Sequence, residues 1–226
     1  MKYFLIFLGI AVITSCTTIY STKIDNIDQY QKPYQIEITK NVYRCSTNTN
    51  QYQLILHDNF QKREISNTTK ESFENLSGRN YSFSKNNFPL STIQISQNSK
   101  IVINNKSTIS TENTKNIISI NINGIHSEFE INNNSTKNYF TASNDYSIVF
   151  QYYADSTDQS KNSINKPSGF KILVNGKNAG ILTLYNKPKI YLLKELSSIS
   201  SELEDEIFMY CLCVYENYVT NLNRIY

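Results

Sequence analysis

The stretch "ISININGIHSEFEI", residues 118–131, sets Ile118, Ile120 and Ile122 against Ser119 and Asn121, then runs through Asn123-Gly124 into Ile125, Ser127, Phe129 and Ile131. An apolar period of two marks a strand with one buried face. Asn-Gly between two such runs is the strongest short-range hairpin signal, because a type I′ turn needs positive φ at both central positions. The same pattern extends on either side. Tyr34, Ile36 and Ile38 alternate with Gln35, Glu37 and Thr39; Tyr52, Leu54 and Leu56 alternate with Gln53 and His57; Ile93 and Ile95 repeat it. Phe170, Ile172 and Val174 approach a turn at "NGKNAG", 175–180, and Ile181, Thr183 and Tyr185 return from it. Pro188 then ends or bends that strand.

Two helices interrupt the strands. Thr68 with Glu71 forms a capping box and Gly78 follows, which predicts a short helix over Thr68–Leu76. The long helix spans about Leu196 to Leu222, with a second capping box at Ser201 and Glu204 and with Glu202, Asp205 and Glu206 at the end where the helix dipole favours negative charge. These elements predict an α+β fold, mainly antiparallel β built from hairpins in a meander, packed against one long C-terminal helix in a single domain over 34–226.

At about 100° per residue, Leu196, Ile199, Leu203, Ile207, Tyr210, Val214 and Tyr218 form one stripe of that helix. Phe208, Leu212, Tyr215, Val219 and Leu222 form a second, and Glu202, Glu206, Cys213 and Glu216 occupy the opposite arc. One sheet covers a stripe only about 100° wide, so the second needs another cover. Loops, the Thr68–Leu76 helix or a partner would supply it, which makes Phe208, Leu212, Tyr215 and Val219 a candidate partner surface. Cys211, between the stripes, is expected to be buried, and Cys213 unshielded by the sheet.

Motifs for catalysis are missing. The chain has no G-x-G-x-x-G, G-x-x-x-x-G-K-[ST], H-E-x-x-H or G-x-S-x-G. S-x-x-K occurs at Ser82, Ser163 and Ser168, but Pro167 pushes Lys166 out of the α region and the other two lie in strand-like sequence, so no catalytic residue is assigned. His57 and His126 are the only histidines, 69 positions apart, and His57 and Asp58 point to opposite faces of a strand. No metal site is expected: an EF-hand loop begun at Asp155 puts Lys166 where a bidentate Glu belongs. The segments 132–138 and 155–168 read as exposed loops.

The start of the chain is more specific. Lys2 precedes an apolar run from Tyr3 to Ile13, and Ile13-Thr14-Ser15-Cys16 follows. The run is too short for a transmembrane helix, which needs about 20 apolar residues, and suits the h-region of a signal peptide. Ile13 breaks the small-residue rule of an ordinary signal-peptidase site. The four residues resemble the lipobox of bacterial lipoproteins. That resemblance implies cleavage after residue 15, a diacylglycerol thioether on the Cys16 thiol and an N-acyl chain such as palmitate, which together anchor stably where one chain holds only marginally. It implies no other cofactor. Residues 16–33 then read as a lipidated Cys and a flexible tether. Thr17 and Thr18, in place of Asp, imply by the same resemblance the outer membrane where two membranes are present.

Removing the signal leaves 21 basic residues against 19 acidic ones, a net charge of +2. Neither nucleic-acid binding nor a polybasic membrane patch is supported by so even a balance. Cys45, Cys211 and Cys213 remain, an odd count in an exported chain. Two cysteines at i and i+2 lie about 200° apart on a helix and cannot bond to each other. They are either three free thiols or one thiol beside a Cys45 disulfide closing a loop of about 165 residues. The expected function is a membrane-anchored envelope lipoprotein, non-enzymatic, that binds an envelope protein or glycan or serves envelope assembly. An envelope hydrolase whose acidic residues meet only in three dimensions is the alternative.

Overall fold

A computed structural model of the chain describes residues 24, 26–65, 72–104, 108–122, 125–131, 139–142, 146–153, 169–184 and 187–222. The lipobox, residues 17–23, Thr68–Glu71, Asn123-Gly124, 132–138, 155–168 and Tyr185 lie outside them. Among the described residues the strands are β1 (Tyr34–Thr39), β2 (Val42–Ser46), β3 (Gln51–Ile65), β4 (Ser72–Lys85), β5 (Phe88–Asn104), β6 (Thr108–Ile122), β7 (Ile125–Ile131), β8 (Tyr139–Ala142), β9 (Ser147–Tyr153), β10 (Gly169–Val174), β11 (Lys177–Thr183) and β12 (Lys189–Leu192). The α-helix, α1, is Ser201–Leu222. Short 3-10 turns at Ile27–Gln29 and Lys194–Ser198 precede β1 and α1. All strand pairs are antiparallel in a single sheet ordered β7-β6-β5-β4-β3-β2-β1-β12-β11-β10-β9-β8. The α+β class with a C-terminal helix is therefore correct.

The hairpins follow their turn chemistry. Ile122 pairs with Ile125, the register that a two-residue Asn123-Gly124 connection demands. Between β10 and β11 the turn is tighter than 175–180: Asn175 (φ 49°) and Gly176 (φ 77°) suffice, and Val174 pairs with Lys177. Asn86 and Asn87, also at positive φ, join β4 to β5 in the same way.

The helix predicted over Thr68–Leu76 is absent from its described part, because Ser72–Leu76 belongs to β4. Leu76 pairs with Lys62 on one side and Asn98 on the other. Strand pairing on both flanks outweighs a capping signal that involves only local groups. Gly78 is no helix stop either. It faces Phe60 across the β3–β4 ladder, and a Cβ there would come within 2.6 Å of the Phe60 ring and 2.8 Å of the Ile95 carbonyl oxygen.

The sheet wraps the helix. On one wing Tyr52 stacks between Phe83 (6.0 Å) and Phe208 of α1 (4.5 Å), and Ser91 of β5 reaches Met209; on the other, the Phe170 ring meets Tyr218. Inner residues of β9–β12, including Phe150, Ile172, Leu182 and Ile190, join the same core, and the end strands β7 and β8 touch. Every residue from Ile207 to Asn217 is buried. A helix covered on all sides must be apolar nearly all round, which is the reason for two stripes where one would serve an open sheet.

Both faces of β11 are covered. Leu182 joins the core that holds α1, while Ile181, read above as part of the buried alternation, packs outside with Tyr30 and Tyr191. Packing thus begins before Tyr34. Tyr30 bridges Leu193, and the Gln31 amide donates to the Leu192 carbonyl at 2.8 Å.

Candidate functional site

The candidate partner surface is part of the core. Phe208, Leu212 and Tyr215 are buried and Val219 packs against them, because the wings of the sheet supply the cover assigned above to loops or a partner. Cys213 is buried as well, against expectation. At Glu216 the arc it shares faces Arg79 of the sheet rather than solvent, while Glu202 at the start of the arc is exposed.

Two polar clusters tie α1 to the sheet. At its start the Ser200 hydroxyl accepts from the Leu203 amide at 3.2 Å, making Ser200 rather than Ser201 the N-cap. Lys85 Nζ donates to Ser201 Oγ at 2.8 Å and to Asp205 Oδ1 at 2.7 Å, and the Tyr52 hydroxyl donates to the same Asp205 oxygen at 2.9 Å. Burial and then this hydrogen bond push the Tyr52 hydroxyl pKa upward. Glu204 beside it is raised by burial, against the lowering effect of Lys85.

Further along α1, Glu216 is 1% exposed and bonds to Arg79 of β4. Tyr43 and Tyr81 lie close enough to feel its charge. Burial first and Glu216 second hold the Tyr43 hydroxyl up at about 12 and raise that of Tyr81. The Tyr43 ring also meets Tyr215 edge-on at 6.3 Å. These tyrosines stay neutral at any ordinary pH.

The three cysteines are free and buried. Burial, reinforced by Glu37, lifts the Cys45 thiol to about 12, and burial raises Cys211 and Cys213. A thiol in such surroundings is a packing group and not a nucleophile, since the thiolate is the reactive form. His57 is the extra residue of a bulge between Leu56 and Asp58, and its Nε2 lies 2.8 Å from Ser82 Oγ on the exposed side. Among the described residues no three His, Cys, Asp or Glu side chains are grouped to hold a metal, and no helix is long and apolar enough to cross a membrane.

One groove of about 260 Å³ opens where β1 begins and β2 ends, lined by Gln31, Lys32, Tyr34, Ser46, Thr47 and Asn48 among others. Several of its polar groups hold its own walls. The Gln31 amide donates to the Leu193 carbonyl and accepts from the Tyr34 hydroxyl, and the Thr47 hydroxyl closes the 47–50 turn onto Asn50. Comparison with protein-family models, curated proteins and solved structures finds no match to this chain.

The ion pairs and the Tyr52–Asp205 contact escaped the sequence reading because their partners are 120 to 153 positions apart. The one local hint was Glu216, a carboxylate inside an otherwise apolar run.

Proposed function

We propose that the protein is a membrane-anchored lipoprotein of the bacterial envelope whose β-rich domain acts as a non-enzymatic binding or envelope-assembly module. The carrying observation is Ile13-Thr14-Ser15-Cys16 after a short apolar run. In this reading Cys16 bears the diacylglycerol and an N-acyl chain, the lipid holds the protein at the outer membrane where two membranes exist, and the partner is an envelope protein or glycan. The non-enzymatic part draws support from the use made of reactive groups: Glu216, Asp205 and the three thiols all serve to fix α1 in its sheet.

Labelled palmitate fed to expressing cells tests the anchor. The wild-type chain is expected to take up label and to fractionate with membranes, and Cys16→Ala to lose both. Unchanged labelling of Cys16→Ala contradicts the reading.

A further inference from the structure

We propose that the end of the sheet where α1 begins rests on the membrane to which Cys16 is joined, with Phe88 entering the lipid interface. The inference builds on the lipid anchor proposed above.

One end of the fold gathers several tight connections. The 47–50 turn and the Asn86-Asn87 turn are hydrogen-bonded to each other, with Gln51 N to Asn86 Oδ1 at 2.7 Å and Asn86 Nδ2 to Asn50 Oδ1 at 3.2 Å. The Asn175-Gly176 turn bonds to Ser147, and Tyr146 approaches Ser200 just before α1. The chain enters the domain at this same end. Tyr30 bridges Leu193 directly after β12, and Ile24 packs onto the Tyr30–Ile181–Tyr191 cluster.

Reach then narrows the orientation. Residues 17–23 separate Cys16 from Ile24, and a fully extended chain covers at most about 3.3–3.6 Å per residue, so Ile24 stands within about 30 Å of the lipidated sulfur. β5, with 17 residues, runs roughly 55 Å from Phe88 to Asn104. The far ends of β3–β6 are therefore the wrong end to meet the lipid.

Apolar exposure agrees with that placement. Among the described residues the exposed large apolar side chains are Phe88 (73%), Ile27 (54%) and Ile38 (48%). Phe88 follows the Asn86-Asn87 tip, and Ile27 lies one 3-10 turn before Tyr30, so two of the three sit at the entry end. Among the described residues the exposed charges there offset one another, Lys32, Lys177 and Lys194 against Asp28, Glu195 and Glu202. Contact driven by an aromatic ring, without a basic patch, is insensitive to lipid charge.

The chain has no tryptophan, so Phe88→Trp installs a single fluorescent reporter at an exposed position. The lipidated full chain carrying F88W is purified from membranes and reconstituted into vesicles of phosphatidylcholine, or of phosphatidylethanolamine with phosphatidylglycerol. Emission is expected to shift to the blue on reconstitution and to be quenched by lipids brominated on their acyl chains, equally in both compositions. Ile38→Trp, at the far end of β1, is expected to show neither effect. Vesicles that float with the protein while F88W emission stays as in detergent-free solution overturn this proposal and leave the anchor intact. Failure to float overturns both. A blue shift without vesicles that grows with protein concentration makes the patch a contact between copies and also overturns it.

Discussion

Near its N-terminus α1 meets the sheet through Lys85 and Asp205, whose side chains are 18% and 21% exposed and which share Ser201 and Tyr52 as neighbours. Eleven positions further on it meets the sheet through Arg79 and Glu216, where the arginine side chain is 23% exposed and the carboxylate 1%. Both contacts join a cation of β4 to an anion of α1. The difference is solvent at the anion: water can replace a lost partner at Asp205 and cannot at Glu216. The Glu216 contact therefore fixes how the helix is seated, because any other register strands that carboxylate inside the core, whereas the Asp205 contact trims the helix end.

Removing the Glu216 carboxylate is expected to have the largest effect on stability. Glu216→Ala opens a hole in the core and takes an acceptor from Arg79 and Tyr81, and a loss of about 2–5 kcal/mol is expected by urea denaturation. A loss no larger than that of Asp205→Asn erases the distinction between the two contacts.

The tyrosines sharpen the comparison through pH. The Tyr43 hydroxyl is held up at about 12 in the folded state by burial and by Glu216, against an ordinary value near 10 when unfolded. A folded-state pKa above the unfolded one stabilises the fold at pH values below the unfolded pKa, and that contribution fades as pH climbs from about 10 through 12. Denaturation midpoints are expected to fall across that window, and Tyr43→Phe to flatten part of the fall. An unchanged slope in Tyr43→Phe places the titrating group elsewhere.

Asp205→Asn keeps hydrogen-bond acceptance from Tyr52 while removing the charge, and about 1 kcal/mol or less is expected for a contact so near solvent. Ser200→Ala, which removes the N-cap acceptor for Leu203, is expected to cost a similar amount, about 1 kcal/mol. Either value approaching that of Glu216→Ala makes the N-terminal contact the dominant one.

The sequence disclosed those parts of the fold that depend on neighbours in the chain. Asn123-Gly124 and Asn175-Gly176 mark hairpins because positive φ is a local demand, and Ile207 through Val219 reads as helix because its period is local. Ser72–Leu76 misled for the same reason. Its strand state comes from pairing with β3 and β5, and its mixed polar and apolar residues show no alternation to announce it. The candidate partner surface failed on topology. Two stripes on α1 signalled a second cover, but both covers are wings of one sheet: Phe208 and Tyr215 of the second stripe meet Tyr34, Tyr52 and Tyr43 of β1–β3, and Tyr218 of the first meets Phe170 of β10. Cys213 was placed on an exposed arc because Glu216 beside it suggested water, when its partner was Arg79.

What ties these contacts together is that α1 is the enclosed core of the sheet. Hydrogen exchange resolved to single amides tests it directly. The amides of 207–217 are expected to exchange only on global unfolding, as slowly as the paired amides of β2 and β3. Exchange in 207–217 at the pace of a helix lying open on a surface, while β2 and β3 stay protected, contradicts it.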